Sequence, residues 1–442
     1  MKTTGFRSFV LYILLFAFLG GIGWFVFNLS VNGEKWAAQP YNGHIYASDS
    51  TLSAGTITDR TGLILAESRD NRRVYADSEN IRRSLLHTVG DSSGYISTAV
   101  QSVHRSQLMG YNLILGLNDT IFSGIGSNME LSVSARASAA AYEALEGKNG
   151  SVFIYNYKTG ETLVKVSAPT YDPMHVPDDL LTDERYNGVF LDHTLTSTYV
   201  PGSIFKLVTA AAAMETFSDW KTRTYSCESR FALNDSTVTC LDWHGDLSME
   251  SAMGHSCNIY FAKLALDIGS EKLQQTAERM GFNEQFSFDT LTTADSEADL
   301  SAADDLELAW SAVGQGDVLA NPYHMALLMG AIANGGTVSE PFITGKGTQT
   351  KYTLLDRSTA NSLHDLMRTT VSYYYGDGFF NGYTVCAKTG TAEVSGRNPN
   401  CWMVGFTEDE NAPYAFAVCV EDGSSGMNTA GSVVTAALNA LR

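Results

Sequence analysis

The chain contains no C-x-x-C pair, the spacing at which cysteines usually bind structural zinc. Its six cysteines are Cys227, Cys240, Cys257, Cys386, Cys401 and Cys419. This spacing predicts no metal site, and the sequence indicates no cofactor. In an oxidising compartment Cys227 and Cys240 could form a disulfide across the short polar segment between them, whereas free, buried thiols are an equally good interpretation.

Basic residues are also scarce. The chain has 29 lysines and arginines against 48 aspartates and glutamates, which gives a net charge of −19. Because phosphate binding needs a positive surface, this balance argues against a nucleic acid partner. Hydrophobic residues make up 44% of the 442 residues and charged residues 17%, which predicts a folded chain of two or three units with a sizeable core.

No charged residue occurs between Arg7 and Glu34. Within this stretch Phe9 to Phe27 is an apolar run of 19 residues, which as a helix covers about 30 Å, the thickness of a bilayer core. The run predicts a single-pass anchor in the cell membrane, with Lys2 and Arg7 on the cytoplasmic side and the rest of the chain outside. A cleaved signal peptide is the alternative, which the length of the run and the poor cleavage site after it disfavour.

Changes of pattern along the chain predict three segments. Residues 1–28 form the cytoplasmic tail and membrane anchor, 29–128 a small mixed membrane-proximal domain, and 129–442 the main domain. The main domain begins with a helix and a hairpin around the turn Lys158-Thr159-Gly160, continues through a helical middle, and returns to strands near its end. We therefore expect an α+β fold with an antiparallel sheet flanked by helices.

The first element with chemical potential is Ser203-Ile204-Phe205-Lys206, at the start of an alanine-rich helix. A spacing of three places both polar side chains on one helix face, so the Lys206 amine can reach the Ser203 hydroxyl. A serine hydroxyl needs a base to act as a nucleophile, and a lysine kept neutral by burial or by a second cation can serve. We predict Ser203 as nucleophile and Lys206 as base.

Two further elements follow, Ser256-Cys257-Asn258 and Lys388-Thr389-Gly390-Thr391. The Ser256 hydroxyl could relay a proton to a leaving amine, and the Asn258 amide could hold a peptide carbonyl. Lys388 and Thr389 could bind a substrate carboxylate. These residue types together predict a site for acyl transfer.

The last two residues of the third element have expected roles in binding the substrate backbone. Gly390 on a strand would let that backbone pair closely. The main-chain N–H groups of Ser203 and Thr391 would form an oxyanion hole.

Short motifs of this kind recur by chance, and three other segments test the assignment. Ser218 to Lys221 repeats the S-x-x-K spacing after the alanine-rich helix, and Lys158-Thr159-Gly160 repeats the third element as a hairpin turn. Gly90 to Gly94 matches the G-x-S-x-G pattern of other hydrolases but is better explained as a surface loop. Only the set built on Ser203 has a suitable context at all three elements.

At these residues the chain resembles the class B penicillin-binding proteins of bacterial cell-wall synthesis. The resemblance covers about residues 55–442 and includes GTITDRTGLILAES from Gly55, the hairpin from Gly150, and GQG at Gly314–Gly316. It implies a five-stranded antiparallel sheet between helices. It also implies that Ser203 is acylated by penicillin and by D-Ala-D-Ala stem peptides, with Lys206 as its base.

The resemblance implies a membrane-anchored D,D-transpeptidase that cross-links peptidoglycan. About 100 residues between the anchor and the main domain are too few for a glycosyltransferase domain, so the resemblance also implies a polytopic glycan polymerase partner of the SEDS type (shape, elongation, division and sporulation). The alternatives are a D,D-carboxypeptidase, a β-lactam sensor or β-lactamase, and a non-catalytic cell-wall scaffold. A class A β-lactamase is disfavoured because Glu297, the nearest match to its deacylating glutamate, has Ser301 in place of the asparagine expected there.

Overall fold

The computed structural model describes residues 2–37, 54–70, 72–110, 126–345, 347 and 350–442. Helix α1 (Lys2–Ala37) contains the apolar run predicted to span the membrane. Its part Gly5–Gly33 is long and apolar enough to cross a bilayer, and its large apolar side chains are exposed. An exposed apolar helix of this length is what a membrane anchor requires.

The membrane-proximal part contains a small mixed sheet with strand order β3-β2-β1-β4. Its strands are β1 (Ile57–Thr58), β2 (Ile64–Arg69), β3 (Arg72–Tyr75) and β4 (Met129–Glu130), and its short helices are α2 (Glu79–Ser84), α3 (Leu86–Val89), α4 (Val100–Val103) and α5 (Arg105–Leu108). Strand β4 pairs in parallel with β1, so the sheet takes chain from both sides of the predicted boundary at 128. Of the predicted domain 29–128, residues 38–53, 71 and 111–125 lie outside the described residues.

The main part begins with α6 (Ala135–Ala144), β5 (Gly150–Asn156), β6 (Thr162–Ala168) and α7 (Lys206–Thr216). It continues with β7 (Tyr225–Cys227), β8 (Arg230–Leu233), β9 (Ser236–Thr239), β10 (Gly245–Leu247), α8 (Met249–Gly254), α9 (Asn258–Ile268) and α10 (Ser270–Arg279). Next come β11 (Ser287–Phe288), β12 (Leu291–Thr292), α11 (Asp305–Ser311), α12 (Pro322–Ala333), β13 (Thr337–Ser339), β14 (Lys351–Thr353) and α13 (Arg357–Thr370). The last elements are β15 (Val385–Val394), β16 (Arg397–Thr407), β17 (Tyr414–Val420) and α14 (Gly431–Ala440).

Five strands form one antiparallel sheet in the order β15-β16-β17-β5-β6, which confirms the expected α+β class. The predicted hairpin is β5 and β6, and Gly160 in its turn has φ +85°, a conformation that favours glycine. Side chains alternate between the two faces: Val152 and Ile154 belong to the core shared with α6 and α14, whereas Phe153 and Tyr155 belong to the core around the central helices. The sheet is therefore covered by helices on both faces.

Helix α7 lies in the centre of the larger core. Its residues Ala210–Ala213 are fully buried, and small side chains allow α9 and α10 to pack closely against it. A single 3₁₀ turn, Gly202–Ile204, leads directly into α7 and carries Ser203. The indole N–H of Trp402 on β16 donates to the Val200 carbonyl at 3.0 Å, which ties this turn to the sheet. The fold thus holds Ser203 between the central helix and the sheet edge.

Candidate active site

Ser203 and Lys206 lie one turn apart where the 3₁₀ turn meets α7. The Lys206 amine nitrogen is 2.8 Å from the Ser203 hydroxyl oxygen. Lys206 is fully buried, whereas Ser203 is partly exposed. The lysine can therefore take a proton from Ser203 without being open to bulk water.

The two shortest of the other hydrogen bonds of Lys206 go to groups that can only accept. Its Nζ atom is 2.7 Å from the Ser256 carbonyl oxygen and 2.7 Å from Oδ1 of Asn258. A neutral amine has two N–H groups and one lone pair. With both N–H groups donated to these oxygens, the lone pair is left for the proton of the Ser203 hydroxyl.

Electrostatics favour the same protonation state of Lys206. Burial, reinforced by the positive charge of Lys388, holds the pKa of the Lys206 amine well below its ordinary value. The charge of Lys388 is close to Lys206 because both amines contact the Ser256 hydroxyl. Burial and geometry therefore both favour a neutral Lys206, as a general base requires.

Ser256 lies between the two lysines. Its hydroxyl oxygen is 3.3 Å from Lys206 Nζ and 3.0 Å from Lys388 Nζ. Its backbone is in the left-handed region, with φ +54°, at the junction of α8 and α9. Such a conformation costs on the order of 1–3 kcal/mol in a non-glycine residue and is typical of functional sites.

Asn258 begins α9 and is oriented by two contacts. Its amide nitrogen Nδ2 donates to the Thr239 carbonyl at 3.0 Å, so its oxygen faces Lys206. One N–H of the amide is therefore used within the protein, and the other is available for the peptide carbonyl that the sequence motif predicted as its partner.

Lys388 and Thr389 lie on β15 at the edge of the sheet. Lys388 is fully buried, and burial lowers its pKa to about 7. Besides Ser256 it donates to the Thr389 carbonyl at 2.9 Å. A lysine with so few partners is suited to bind a substrate carboxylate, whose negative charge would raise the pKa of Lys388 and hold it protonated.

Tyr375 orients Thr389 and was not found by sequence reasoning. Its hydroxyl is 2.9 Å from the Thr389 hydroxyl and accepts the Thr389 backbone N–H at 3.2 Å. Tyr375 belongs to a π-helical turn after α13, and three consecutive tyrosines in the sequence gave no pattern that distinguishes one of them.

Gly390 lies close to another stretch of the chain, and its pairing with a substrate backbone stays a prediction. A Cβ atom at this position would lie 2.6 Å from the Pro201 carbonyl oxygen, so the close approach at Gly390 is made by the chain itself before the nucleophile. Thr391 is exposed, and its hydroxyl accepts the Gly426 backbone N–H at 3.2 Å. The absence of a side chain at 390 is what lets the Ser203 turn lie against β15.

The three elements meet at one cavity of about 830 Å³. Five of the eight predicted site residues line it, namely Ser203, Ser256, Asn258, Thr389 and Thr391. The other three, Lys206, Lys388 and Gly390, are buried directly behind this wall. The structure thus brings together three stretches that are far apart in the chain.

The competing motifs lie elsewhere. Ser218 is exposed beyond the end of α7, and Lys158 to Gly160 forms the hairpin turn. Ser92 lies in a loop that follows α3, not between a strand and a helix as a nucleophile elbow requires. None of these segments is among those that line the cavity in the described part of the chain.

Two glycines position the nucleophile turn. The Gly202 N–H donates to the Gly314 carbonyl at 2.8 Å, and Gly202 has φ +55°. A Cβ atom on Gly314 would lie 2.0 Å from the Gly202 carbonyl oxygen. The G-Q-G segment found in the sequence therefore allows two stretches of backbone to touch next to Ser203.

Replacing Gly314 by alanine tests this contact. We expect Gly314→Ala to lower the free energy of unfolding by about 1–3 kcal/mol through overpacking and to slow acylation, because the clash displaces the residue before Ser203. Gly316→Ala is the matched control: Gly316 also has positive φ, +73°, but its Cβ would meet only Ser311 Oγ at 3.8 Å. Equal losses for the two variants, measured by chemical denaturation, would contradict the role of the contact.

Comparison with known proteins shows the family of the chain. Residues 150–441 match the family model of the penicillin-binding protein transpeptidase domain. The chain belongs to this family. It is a class B penicillin-binding protein, as the sequence motifs predicted, and the five-stranded sheet with its helices is the transpeptidase fold.

Several relatives are similar over nearly their whole length. The peptidoglycan D,D-transpeptidase PbpA of Mycolicibacterium smegmatis is 28% identical over 446 residues, 90% of each chain. The ceftriaxone acyl-enzyme of penicillin-binding protein A from Mycobacterium tuberculosis is 25% identical with a TM-score of 0.76, covering 88% of this chain and 98% of that one. The D,D-transpeptidase domain of a peptidoglycan glycosyltransferase from Eggerthella lenta is 27% identical with a TM-score of 0.75, covering 89% and 99%.

Proposed function

We propose that this class B penicillin-binding protein is a membrane-anchored D,D-transpeptidase that cross-links peptidoglycan stem peptides through an acyl-enzyme on Ser203. The observation that carries the proposal is the Lys206 amine, 2.8 Å from the Ser203 hydroxyl, with its two N–H groups directed at acceptor oxygens. The name of the relative PbpA and the acyl-enzyme structures of penicillin-binding protein A support the reaction class and acylation by β-lactams.

In the acylation step, Ser203 Oγ attacks the carbonyl carbon of the penultimate D-alanine and its proton passes to Lys206. The backbone N–H groups of Ser203 and Thr391 stabilise the negative charge on the carbonyl oxygen. The C–N bond then breaks, and the proton moves from Lys206 through the Ser256 hydroxyl to the departing amine of the terminal D-alanine. An ester on Ser203 remains.

In the second step, an amine from a neighbouring stem peptide attacks the ester. The amine loses a proton to Lys206, the C–O bond breaks, and the proton returns to Ser203, so the enzyme is regenerated and a new peptide bond links two strands. Lys388 and Thr389 hold the terminal carboxylate during acylation and are vacated when D-alanine leaves. The same base therefore serves both steps.

Attack by water on the same ester would make the protein a D,D-carboxypeptidase. A class A β-lactamase needs in addition a carboxylate that activates water in the cleft. Glu297, the nearest sequence match to that residue, is exposed, pairs through its backbone with Leu319, and is not among the residues that line the cavity. Glu297 therefore does not supply a deacylating carboxylate of the class A type, and we expect the ester formed with a β-lactam to be long-lived, which the acyl-enzyme structures of penicillin-binding protein A support.

A synthetic stem peptide ending in D-Ala-D-Ala tests the proposed function. We expect the full chain in detergent to release one D-alanine per peptide consumed and, with an acceptor amine present, to form a linked product of matching mass. Mass spectrometry separates this product from the hydrolysed peptide. Hydrolysed peptide alone at saturating acceptor would identify a carboxypeptidase, and no D-alanine release in either case would favour a non-catalytic scaffold.

The pH dependence of acylation tests the state of Lys206. The amine acts as a base only when unprotonated, so the rate is expected to fall as the pH is lowered through the depressed pKa of Lys206. In Lys388→Gln the same fall should occur at higher pH, because removing the second positive charge raises the pKa of Lys206. Lys158→Gln, a change in the exposed hairpin turn, is the control. Coincident profiles for Lys388→Gln and the wild type, measured with penicillin in stopped flow, would contradict the coupling.

The charges beside the anchor predict the orientation of the chain in the membrane, and the short segment after the anchor predicts a partner protein. Lys2 and Arg7 favour a cytoplasmic N-terminus for α1, which places the transpeptidase domain outside the cell membrane. The residues between α1 and the transpeptidase domain are too few for a glycan-polymerising domain, so a polytopic polymerase of the SEDS type would supply the strands. Affinity capture of the full chain from membranes should retain such a polymerase, and its absence from crosslinked samples would contradict the partnership.

A further inference from the structure

Three cysteines and one histidine converge beside the second active-site element. They are Cys227 at the end of β7, Cys240 after β9, His244 before β10, and Cys257, which caps the N-terminus of α9. Their sulfur atoms and one imidazole nitrogen all lie within 4.8 Å of one another. The spacings of 13, 4 and 13 residues contain no C-x-x-C pair, which is why the sequence predicted no metal site.

The distances agree with the edges of a metal tetrahedron. His244 Nδ1 is 3.5 Å from Cys227 Sγ and 3.6 Å from Cys240 Sγ, and the sulfurs of Cys240 and Cys257 are 3.9 Å apart. With zinc–sulfur bonds of about 2.3 Å and zinc–nitrogen bonds of about 2.0 Å, a regular tetrahedron has sulfur–nitrogen edges of about 3.5 Å and sulfur–sulfur edges of about 3.8 Å. Three of the six edges therefore match a tetrahedral zinc site, and the other three are no longer than 4.8 Å.

We propose that Cys227, Cys240, His244 and Cys257 bind one structural zinc ion. The donor set of three thiolates and one imidazole is characteristic of closed zinc sites, in which no position is left for water or substrate. A disulfide would use only two of the three sulfurs and would need them about 2.05 Å apart. All six cysteines are free thiols in this structure.

The surroundings of the sulfurs suit thiolate ligands. The Tyr260 backbone N–H points to Cys257 Sγ at 3.4 Å, and the backbone groups of Asp242 and Asn258 hydrogen-bond with Cys240. Such N–H contacts stabilise metal-bound thiolates and fix their orientation. Cys227 and Cys257 are buried, and Cys240 and His244 are partly exposed at the cavity wall, which gives the ion a route of entry.

The zinc ion would connect the short strands to the active site. Cys257 stands between Ser256 and Asn258, and Asn258 also bonds to Thr239, the residue before Cys240. The left-handed backbone of Ser256 is strained, so it persists only where its surroundings hold it. A metal bond at the next residue would supply this restraint. This part of the inference rests on the proposed function, whereas the metal site itself does not.

The metal content of the full chain, purified in detergent under reducing conditions, tests the site. We expect about one zinc per chain by elemental mass spectrometry, and expect cobalt(II) exchanged into it to give the intense absorption of a tetrahedral thiolate complex. A chain that contains no zinc and reacts with a thiol reagent at all three cysteines would overturn the proposal. A disulfide between any two of them in protein purified without reductant, with no zinc bound, would also overturn it.

Variants locate the ion. Cys227→Ser and Cys257→Ser should each lose the zinc and the cobalt spectrum, whereas Cys419→Ser, a buried thiol on β17 outside the cluster, should keep both. If the two cluster variants fail to fold, chelation of the wild-type protein answers the same question: the melting temperature should fall and recover when zinc is restored. Zinc retained in both folded cluster variants would place the ion elsewhere and overturn the assignment.

Acylation by penicillin tests the link to Ser256. Zinc-free wild type and Cys227→Ser should acylate about tenfold more slowly, and added zinc should restore only the wild type. Unchanged acylation in zinc-free protein would overturn the link while leaving the metal site in place. Failure of the proposed function would instead appear as an absence of Ser203 labelling in zinc-loaded protein, so the two failures are distinguishable.

Discussion

Ser203→Ala is expected to abolish the covalent adduct with penicillin. The hydroxyl at 203 is the only group on the nucleophile turn that can form the ester, and it faces the cavity beside Lys206. Because covalent capture needs an attacking atom, the loss should be complete rather than partial. Intact-mass spectrometry after incubation with penicillin G should find the adduct in the wild type, on the peptide that contains Ser203, and none in the variant.

Ser218→Ala and Ser92→Ala are the controls for this result. Both serines belong to competing sequence motifs and lie away from the cavity, so their removal should leave the adduct unchanged. Ser203→Ala removes one partly exposed oxygen, and its melting temperature should remain close to that of the wild type. An adduct that persists in Ser203→Ala and disappears in either control would show that the nucleophile is misassigned.

Lys206→Met is expected to slow acylation by about 10²- to 10⁴-fold, the contribution usual for a general base. Methionine keeps most of the volume of the buried lysine, so the change removes the amine with little loss of packing. The rate should fall because the Ser203 hydroxyl loses the acceptor for its proton. Stopped-flow or quenched-flow labelling with penicillin measures the rate constant directly.

A second substitution tests whether acylation needs a base at position 206 or only a positive charge there. Lys206→Arg places a permanent cation near Ser203 but has no basic lone pair at accessible pH, so it should be about as slow as Lys206→Met. Lys221→Ala changes the exposed lysine of the competing motif and should acylate at the wild-type rate. Wild-type rates in Lys206→Arg would show that a positive charge, and not a base, is what the site needs.

Features set by local spacing could be predicted from the sequence. The apolar run between Arg7 and Glu34 predicted a helix long enough to span a membrane, and α1 is such a helix by length and composition. The turn at Lys158 to Gly160 specifies a hairpin, since glycine relieves the strain of positive φ. Ser203 and Lys206 are three residues apart on one turn, so their contact follows from helical geometry.

Features that depend on distant stretches of chain were decided by the tertiary structure. The low pKa of Lys206 comes from burial and from Lys388, which stands on a strand 182 positions further along the chain. The sequence also gave no reason to connect Tyr375 with Thr389 or Gly314 with Gly202, because neither pair has a regular spacing.

The cysteine cluster is the clearest case of this difference. Spacing predicted no metal site, yet the strands between α7 and α8, together with the start of α9, bring three sulfurs and an imidazole to one point. Local patterns record which residues are neighbours along a helix or strand, since those periods are fixed by backbone geometry. Contacts between elements depend on how the elements pack, so the chemistry of the lysines and of the cluster is determined only once the core has formed.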